Sequence, residues 1–311
     1  MKYPVPISVI MPCFNAGEYV SFAIESILQQ SMQDFEFIIV NDGSTDHTHE
    51  EVLKYSDKRI NYIRLNKNRG NYYARNLGMH AAKGKYICVM DSDDVACSAR
   101  LELQYNYLEK NKKIGAVGAQ AIWINNKGEP NGSISTRPIC SSAQLRVLFL
   151  MNNFVTHPTF FIRSYLLKKH GLSYDESYRT SADYDLVARC MALFPVKNIN
   201  EPVIRYRLHS SQLSISQSKQ QTEFADAIRL KLLCKINQDF SKSDVALFQK
   251  IMKNIPLSNK EEIDEIANFF NRVLECNYQS KIYRQHLLYD FFNYLLINAN
   301  EKIKKNIELN K

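Results

Sequence analysis

The chain has 311 residues and a mass of 36.1 kDa, enough for one large domain or two ordinary ones. Hydrophobic residues make up 45% and charged residues 23%, which excludes a chain that is disordered throughout. The net charge of +8 favours an anionic partner, but no concentrated basic tail is present, so we expect no nucleic-acid partner.

The first 95 residues alternate short β-rich apolar runs with helical patterns, as βαβ units do. The runs lie at 7–11, 35–40, 60–65 and 86–90, and each is nearly continuous in hydrophobicity. Such runs are typical of strands that helices cover on both faces. We therefore predict an α/β fold with a mainly parallel sheet, in which a ligand binds beyond the carboxyl ends of the strands.

The rest of the chain shows two kinds of sequence pattern. Residues 96–210 mix helical and strand patterns, and all ten glycines of the chain lie between Gly17 and Gly171. From about residue 219 onward, apolar residues recur at three- and four-residue intervals without glycine, which predicts three or four helices. We predict an α/β region at 1–215 and a C-terminal all-helical region at 216–311.

The cysteines and the amino terminus bear on location. Seven cysteines are scattered without a metal-ligand spacing, which is typical of small core residues in a reducing compartment. The sequence shows no secretory signal and no apolar stretch near the roughly 20 residues that a bilayer span needs. We expect a cytoplasmic protein, with peripheral attachment to the inner face of the cytoplasmic membrane left open.

Three carboxylates are crowded where the fourth apolar run ends, at Asp91, Asp93 and Asp94. Like charges in one site resist simultaneous ionisation unless a cation neutralises them. Oxygen ligands favour Mg²⁺ or Mn²⁺, often together with substrate phosphates. The alternative is that these short acidic residues only cap the next helix.

Three further segments carry candidate binding groups. Asp42 follows the second run and is either a hydrogen-bond acceptor for a ligand or part of an Asp-Gly turn. The segment from Asn15 to Glu18 permits close backbone approach to a ligand, or is an ordinary strand-to-helix turn. Arg75 places a fork-shaped cation on a helix near the expected phosphate position, or is a solvated helix charge.

Asp183 and Asp185 lie two residues apart where a helix is predicted to begin. They therefore lie on different faces, and at most one points into a cleft. Such a carboxylate could act as a general base toward a hydroxyl, whereas the alternative is that it favours the helix dipole.

Taken in order, these segments resemble the family 2 glycosyltransferases of the GT-A fold over roughly residues 5–210. The segments that carry the resemblance are ISVIMPCFN, VNDGSTD, NRGNYYARNLG, VMDSDD, THPTFFIR, ADYDL and RYRLH. The resemblance implies a Rossmann-like sheet and inverting transfer of one hexose or N-acetylhexosamine from a UDP-sugar to an acceptor hydroxyl. It also implies a divalent cofactor, Mn²⁺ or Mg²⁺.

Site residues are implied by position in the family. Those on the donor side are Pro12, Asn15, Glu18, Asp42 for the uracil, Arg75, Asp91 and Ser92. The implied metal ligands are Asp93, Asp91 and His209, and the implied catalytic base is Asp183, with Asp185 as the fallback. The chain departs from the family at Ala182, where the usual residue is Glu. A non-catalytic relative that binds nucleotide sugar or glycan is therefore the alternative.

The acceptor and the surroundings are also predicted from the resemblance. The family's processive synthases carry a Gln-x-x-Arg-Trp block, which is absent here, so single-sugar transfer is favoured. A lipid-linked acceptor, such as an undecaprenyl-diphosphate-linked glycan of lipopolysaccharide O-antigen or capsule synthesis, is expected. The tail has an apolar stripe and lysines that suit either an anionic membrane, a core or a homo-oligomer contact: Tyr283, Leu287, Phe291, Leu295, Lys302, Lys304 and Lys305.

Overall fold

A computed structural model describes residues 3–209, 212, 217–257 and 259–309, with side chains as far as 302. The chain divides into two compact units. The first comprises Met1–Cys140 and Val155–Gln221, and the second comprises Ser141–Phe154 and Thr222–Lys311. The second unit thus includes a short segment from the middle of the chain, which the sequence pattern did not indicate. The functional boundary near residue 215 stays a prediction.

The first unit is built on one mixed sheet, to which the described residues contribute nine strands. They are β1 (Val5–Cys13), β2 (Glu36–Asn41), β3 (Ile60–Arg64), β4 (Gly84–Val89), β5 (Val95–Ala96), β6 (Ala116–Ile124), β7 (Pro130–Ile134), β8 (Phe161–Arg163) and β9 (Val196–Arg207). Their order is β3-β2-β1-β4-β8-β6-β9-β5, and β7 pairs antiparallel with β6 across the turn at 125–129.

The first four strands pair in parallel, as predicted, and β6 and β9 form a second parallel pair. In β1 and β2 every residue from Ile7 to Cys13 and from Phe37 to Asn41 is buried, because helices cover both sheet faces. Strand β8 runs antiparallel to β4 and interrupts the parallel order. Since β1, β2 and β4 are parallel, the loops that follow them meet at one edge of the sheet.

Helices of the first unit complete the layers. They are α1 (Val20–Leu28), α2 (Thr48–Leu53), α3 (Asn71–Ala81), α4 (Arg100–Lys110), α6 (Ser164–His170) and α7 (Ala182–Leu193), together with a 3₁₀ turn at His157–Thr159. Helix α3 packs closely on the sheet, since a Cβ at Gly78 would lie 2.5 Å from Cγ2 of Ile10. This contact fixes the height of α3 over the strand ends.

The second unit is helical, with α5 (Ser142–Leu148), α8 (Ser218–Cys234, which begins in the first unit), α9 (Lys242–Met252), α10 (Lys260–Ser280) and α11 (Gln285–Leu309). Its core includes Phe270 stacked on Phe292 with ring centroids 4.0 Å apart. Tyr283, Phe291 and Leu295 of the predicted apolar stripe are buried, so they are core residues and do not face a membrane. The side chains of Lys304 and Lys305 lie outside the described part of the chain.

Among the described helices, none combines the length and the hydropathy that crossing a bilayer requires.

Candidate active site

The crowded carboxylates lie in the loop that follows β4. One side-chain oxygen from each of Asp91, Asp93 and Asp94 lies within 4.8 Å of the other two. Asp94 is buried, while Asp91 and Asp93 keep part of their side chains exposed. The sequence expectation that these groups converge is therefore met in the structure, at the edge where the parallel strands end.

Arg75 supplies a buried positive charge beside this loop. Its guanidinium donates a hydrogen bond from Nη2 to Oδ1 of Asp91, and the residue is only 3% exposed. Burial of the Asp91 carboxyl opposes its ionisation, but the neighbouring guanidinium more than offsets this and lowers the pKa of Asp91. Nε and Nη1 of Arg75 are buried without a hydrogen-bond partner among the described residues. Arg75 therefore has two further N–H donors beside Asp91, of the type that binds anionic ligands.

The pKa of Asp94 is shifted in the opposite direction to that of Asp91. Its Oδ1 accepts from the backbone N–H of Arg207 at 2.8 Å, and its Oδ2 is buried without a partner in the described structure. Burial raises the pKa of Asp94 well above its usual range, and the charges of Asp93 and Asp91 add to the effect. An unpartnered carboxylate oxygen next to two other carboxylates fits a hard divalent cation.

Arg207 organises the cluster and was not identified from the sequence. Its guanidinium is 2% exposed and donates to the carbonyl of Asp93 at 2.7 Å and to that of Asn126 at 2.8 Å. One buried cation thus ties the acidic loop to the β6–β7 turn. The RYRLH segment carried the signal, because Arg207 lies two residues before His209 at the end of β9.

His209 lies beside Asp93 of the acidic loop, and its role as a metal ligand stays a prediction. Its Nε2 is 3.0 Å from Oδ2 of Asp93, and its ring is 5.0 Å from that of Tyr19. The Tyr19 ring in turn lies over the Arg207 guanidinium at 4.8 Å. Asp93 and His209 therefore meet across 116 residues of sequence.

The loops after β1 and β2 are joined by hydrogen bonds. Asn15 has φ of 47°, its N–H donates to Oγ of Ser44, and its side chain accepts from the N–H of Thr45 at 2.9 Å. The N–H of Gly17 donates to Asp46, and although burial opposes ionisation there, this bond and those from Thr48 lower the pKa of Asp46. These bonds give both loops a defined shape.

Asp42 is buried in the same region, with 1% exposure. Its two carboxylate oxygens accept from the backbone N–H groups of Arg69 and Gly70 at 2.8 and 2.9 Å. Burial raises its pKa in spite of these bonds. Gly43, with φ of +70°, lets the chain turn against the backbone of Lys67. Asp42 thus shapes the loop before α3, and its contact with a base stays a prediction.

The other predicted donor-side residues differ in exposure. Pro12 is buried inside β1 opposite Val40 of β2, Asn15 and Glu18 are exposed, and Ser92 is partly buried in the acidic loop. Pro12 therefore shapes the end of the strand, while Glu18 and Ser92 have surface that a ligand can reach. Their roles stay predictions.

Asp183 lies in the first turn of α7 and is partly buried. After the effect of burial, its negative charge is the next largest cause that raises the pKa of Tyr72. Asp185 is 7% exposed and accepts from Nε of Arg189 at 2.7 Å, so its carboxylate is engaged in an ion pair.

His157 lies behind this group, with its Nε2 2.8 Å from the Tyr174 hydroxyl. Burial lowers the pKa of His157 to about 4, and the nearby Arg75 adds to the effect. The imidazole is therefore neutral at pH 7. The negative charges of Asp183 and Asp91 act in the opposite direction and raise the pKa of His157, but they do not outweigh burial.

An α/β sheet with acidic and cationic groups at the carboxyl edge of its parallel strands is typical of proteins that bind a ligand at that edge. The family model described as glycosyl transferase family 2 matches residues 8–171. The chain belongs to the family 2 glycosyltransferases, and it is a glycosyltransferase enzyme.

Relatives support this membership. An uncharacterized glycosyltransferase of Methanocaldococcus jannaschii is 34% identical over 220 residues, which cover 69% of this chain and 75% of that protein. An uncharacterized glycosyltransferase of Haemophilus influenzae is 28% identical over 312 residues, covering 97% and 92%.

Solved structures of low identity share the fold. S. aureus TarS residues 1–349 in complex with UDP-GlcNAc has a TM-score of 0.64 at 16% identity, covering 98% of this chain and 92% of that one. The mannosyltransferase PcManGT from Pyrobaculum calidifontis in complex with GDP-Man and Mn²⁺ has a TM-score of 0.56 at 14% identity, covering 97% and 90%. The predicted GT-A fold, with helices after the sheet, is confirmed.

Proposed function

We propose that the protein is an inverting, divalent-metal-dependent glycosyltransferase that moves one hexose or N-acetylhexosamine from a UDP-sugar to an acceptor hydroxyl. The observation that carries the proposal is the meeting of three carboxylates, one of them with a buried unpartnered oxygen, beside the two unpartnered donors of buried Arg75. This set offers oxygen ligands to a cation and hydrogen-bond donors to the anion that the cation accompanies.

Asp91, Asp93 and Asp94 would hold the cation, which when bound supplies Lewis-acid neutralisation of the leaving diphosphate. Because Nε2 of His209 lies 3.0 Å from Oδ2 of Asp93, its imidazole would orient that carboxylate toward the cation. Arg207 holds the acidic loop in place, because its guanidinium donates to the Asp93 carbonyl and its backbone N–H donates to the Asp94 carboxylate. Mn²⁺ and Mg²⁺ both suit this oxygen-rich donor set.

Asp183 would act as the general base that takes the proton of the attacking hydroxyl, while Arg75 binds diphosphate oxygens on the other side of the sugar. Asp183 is preferred to Asp185 because its side chain is partly exposed, whereas Asp185 is only 7% exposed. Attack from the face opposite the leaving group gives inversion at the anomeric carbon. Ala182, fully buried before this residue, offers no second carboxylate.

The donor base is proposed to be uracil, at the loop that Asp42 shapes. TarS is solved with UDP and UDP-GlcNAc, whereas PcManGT is solved with GDP-Man, so guanine is the outcome against which uracil is tested. The acceptor is proposed to be a lipid-linked glycan in lipopolysaccharide O-antigen or capsule synthesis, as the resemblance implies.

The test measures nucleotide release in the presence of Mn²⁺ from UDP-Glc, UDP-Gal, UDP-GlcNAc, UDP-GalNAc and GDP-Man, with water as the default acceptor. We expect release from one UDP-sugar, loss of release with EDTA, and at least a hundredfold loss in Asp93→Ala and Asp183→Asn. Asp34→Asn is the matched control, because Asp34 is exposed and lies before the amino end of β2, away from the site. It should retain wild-type release.

Undiminished release in both site variants would overturn the assigned roles, and release only from GDP-Man would overturn the choice of uracil. Saturable UDP binding without release from any donor, even at high enzyme concentration, would favour the non-catalytic binding alternative that Ala182 raises.

A further inference from the structure

Arg137 is a cation to which the proposed function assigns no role, on the segment that follows β7. Its Nε donates a hydrogen bond to Oγ1 of Thr156 at 2.7 Å, and Thr156 is 4% exposed. The guanidinium therefore has a fixed place beside a buried hydroxyl. None of the ion pairs of the described residues includes Arg137.

Buried residues of the sheet hold the backbone that carries this side chain. Oε1 of Gln120 accepts from the N–H of Arg137 at 2.7 Å, and Nε2 of Gln120 donates to the carbonyl of Arg137 at 2.9 Å. At the next residue, Nδ2 of Asn198 donates to the carbonyl of Pro138 at 3.2 Å. Gln120 on β6 and Asn198 on β9 are 4% and 3% exposed. Arg137 therefore differs from a surface arginine whose backbone and side chain are both free to move.

The two outer nitrogens of the Arg137 guanidinium are accessible. The bond from Nε is the only side-chain hydrogen bond that Arg137 makes within the described part of the chain. Nη1 and Nη2 are not among the buried atoms without a partner, so solvent reaches them. Burial of the side chain lowers the pKa of Arg137, and no described carboxylate is among the groups that oppose this effect. A fixed guanidinium with two accessible nitrogens matches the paired oxygens of a phosphate.

Arg137 adjoins a turn that is bonded to the strand before the acidic loop. Thr156, which accepts its hydrogen bond, directly precedes the 3₁₀ turn. The carbonyl of Pro158 in that turn and the carbonyl of Val89 at the end of β4 both accept from Nη2 of Arg100 at 2.6 Å. The acidic loop follows directly on β4. One short turn therefore connects Arg137 to the strand end that carries the proposed metal ligands.

Arg75 and Arg137 are held by different parts of the fold. Arg75 lies on α3 and is bonded to Asp91, which suits the donor diphosphate that the cation accompanies. Arg137 rests on β6 and on the turn after Thr156, so it suits a second anionic group. We propose that Arg137 binds a phosphate or diphosphate group of the acceptor and so makes the protein selective for anionic acceptors. The inference deepens the proposed function and rests on it for the existence of an acceptor.

The test is calorimetry on protein saturated with UDP and Mn²⁺, so that the donor groups are occupied. The probes are geranyl diphosphate for a lipid-linked diphosphate, glycerol phosphate for a phosphorylated glycan, and glycerol as the uncharged control. We expect a phosphate probe to bind, and Arg137→Met to weaken that binding at least tenfold while UDP affinity stays within twofold of wild type. Lys83→Met is the matched control and should bind the probe as wild type does, because Lys83 is exposed and directly precedes the amino end of β4.

Arg137→Lys keeps the charge but removes the fork, so it should also weaken the probe, and it serves if Arg137→Met does not fold. Tighter binding of geranyl diphosphate would identify a lipid-linked diphosphate, and tighter binding of glycerol phosphate a phosphorylated glycan.

Equal probe affinity in wild type and both Arg137 variants, or no binding of either phosphate probe by the wild type, would overturn the acceptor role. A loss of UDP affinity in place of probe affinity would assign Arg137 to the donor and overturn that role as well. The calorimetry involves no turnover, so its failure leaves the proposed function intact. Absence of nucleotide release from every donor would overturn the proposed function, whatever the probes show.

Discussion

Replacing Arg75 with methionine tests the electrostatic design of the site most directly. The change keeps a long apolar side chain in the buried position but removes the cation that pairs with Asp91. Breaking a buried ion pair from one side costs about 3–5 kcal/mol, because the remaining charge is left without compensation. The Asp91 side chain keeps 26% of its surface exposed, so we expect a loss near the lower end, about 3 kcal/mol.

The assay is urea unfolding followed by tryptophan fluorescence. Trp123 is the only tryptophan of the chain and lies in β6, so its emission reports on the unit that contains the site. With a slope of about 3 kcal/mol per molar urea, the midpoint should fall by about 1 M. Lys54→Met is the control: Lys54 pairs with Glu51 at the surface with 63% of its side chain exposed, and should change stability by at most about 1 kcal/mol.

The pH dependence gives a second check. The pKa of Asp91 in the folded protein lies below its ordinary value of 3.8, so the pair contributes fully at neutral pH. That contribution is lost as the pH falls below about 4 through the folded pKa of Asp91. The difference in free energy of unfolding between Arg75→Met and wild type should therefore narrow below about pH 4. Equal midpoints at pH 7, or a gap that widens on acidification, would refute the reasoning.

Three further results are expected. Mn²⁺ at about 100 times its dissociation constant should stabilise the wild type by about 2.7 kcal/mol in the urea assay and leave Asp93→Ala unchanged; equal stabilisation of both would place the cation elsewhere. Arg207→Met should weaken Mn²⁺ binding in calorimetry at least tenfold, since the acidic loop loses its buried anchor, and undiminished affinity would contradict that role. Because the pKa of His157 is lowered to about 4, the free energy of unfolding should fall as the pH drops from 6.5 to 4, and His157→Gln should flatten this slope; a parallel slope would show that other groups cause it.

Local patterns were enough to predict much of the fold. Continuous apolar runs indicated strands covered on both faces, and β1 to β4 pair in parallel as predicted. The chain order of short segments carried the family resemblance, and the matched family model confirms it. The position of Asp91, Asp93 and Asp94 directly after a buried strand predicted their convergence, because neighbours in sequence at a strand end are neighbours in space.

Other features depend on residues far apart in the chain. The periodicity of the tail stripe suits a core as well as a surface, and only packing in the second unit shows that Phe291 and Leu295 are buried. The RYRLH segment marks Arg207 as a candidate, but its hydrogen bond to the carbonyl of Asp93, 114 positions earlier in the chain, forms only when β9 packs against the acidic loop.

The sequence by itself determined the α/β fold, the family and the set of acidic groups, because each depends on periodicity or on residues that are adjacent in the chain. The tertiary structure decided how these groups are charged and held. Burial raises the pKa of Asp94. The pKa of Asp91 is lowered in spite of burial, because the guanidinium of Arg75 on α3 lies beside it. The hydrogen bonds between the Asn76 side chain and the backbone of Tyr174, which join residues 98 positions apart, likewise exist only once helix and loop have packed.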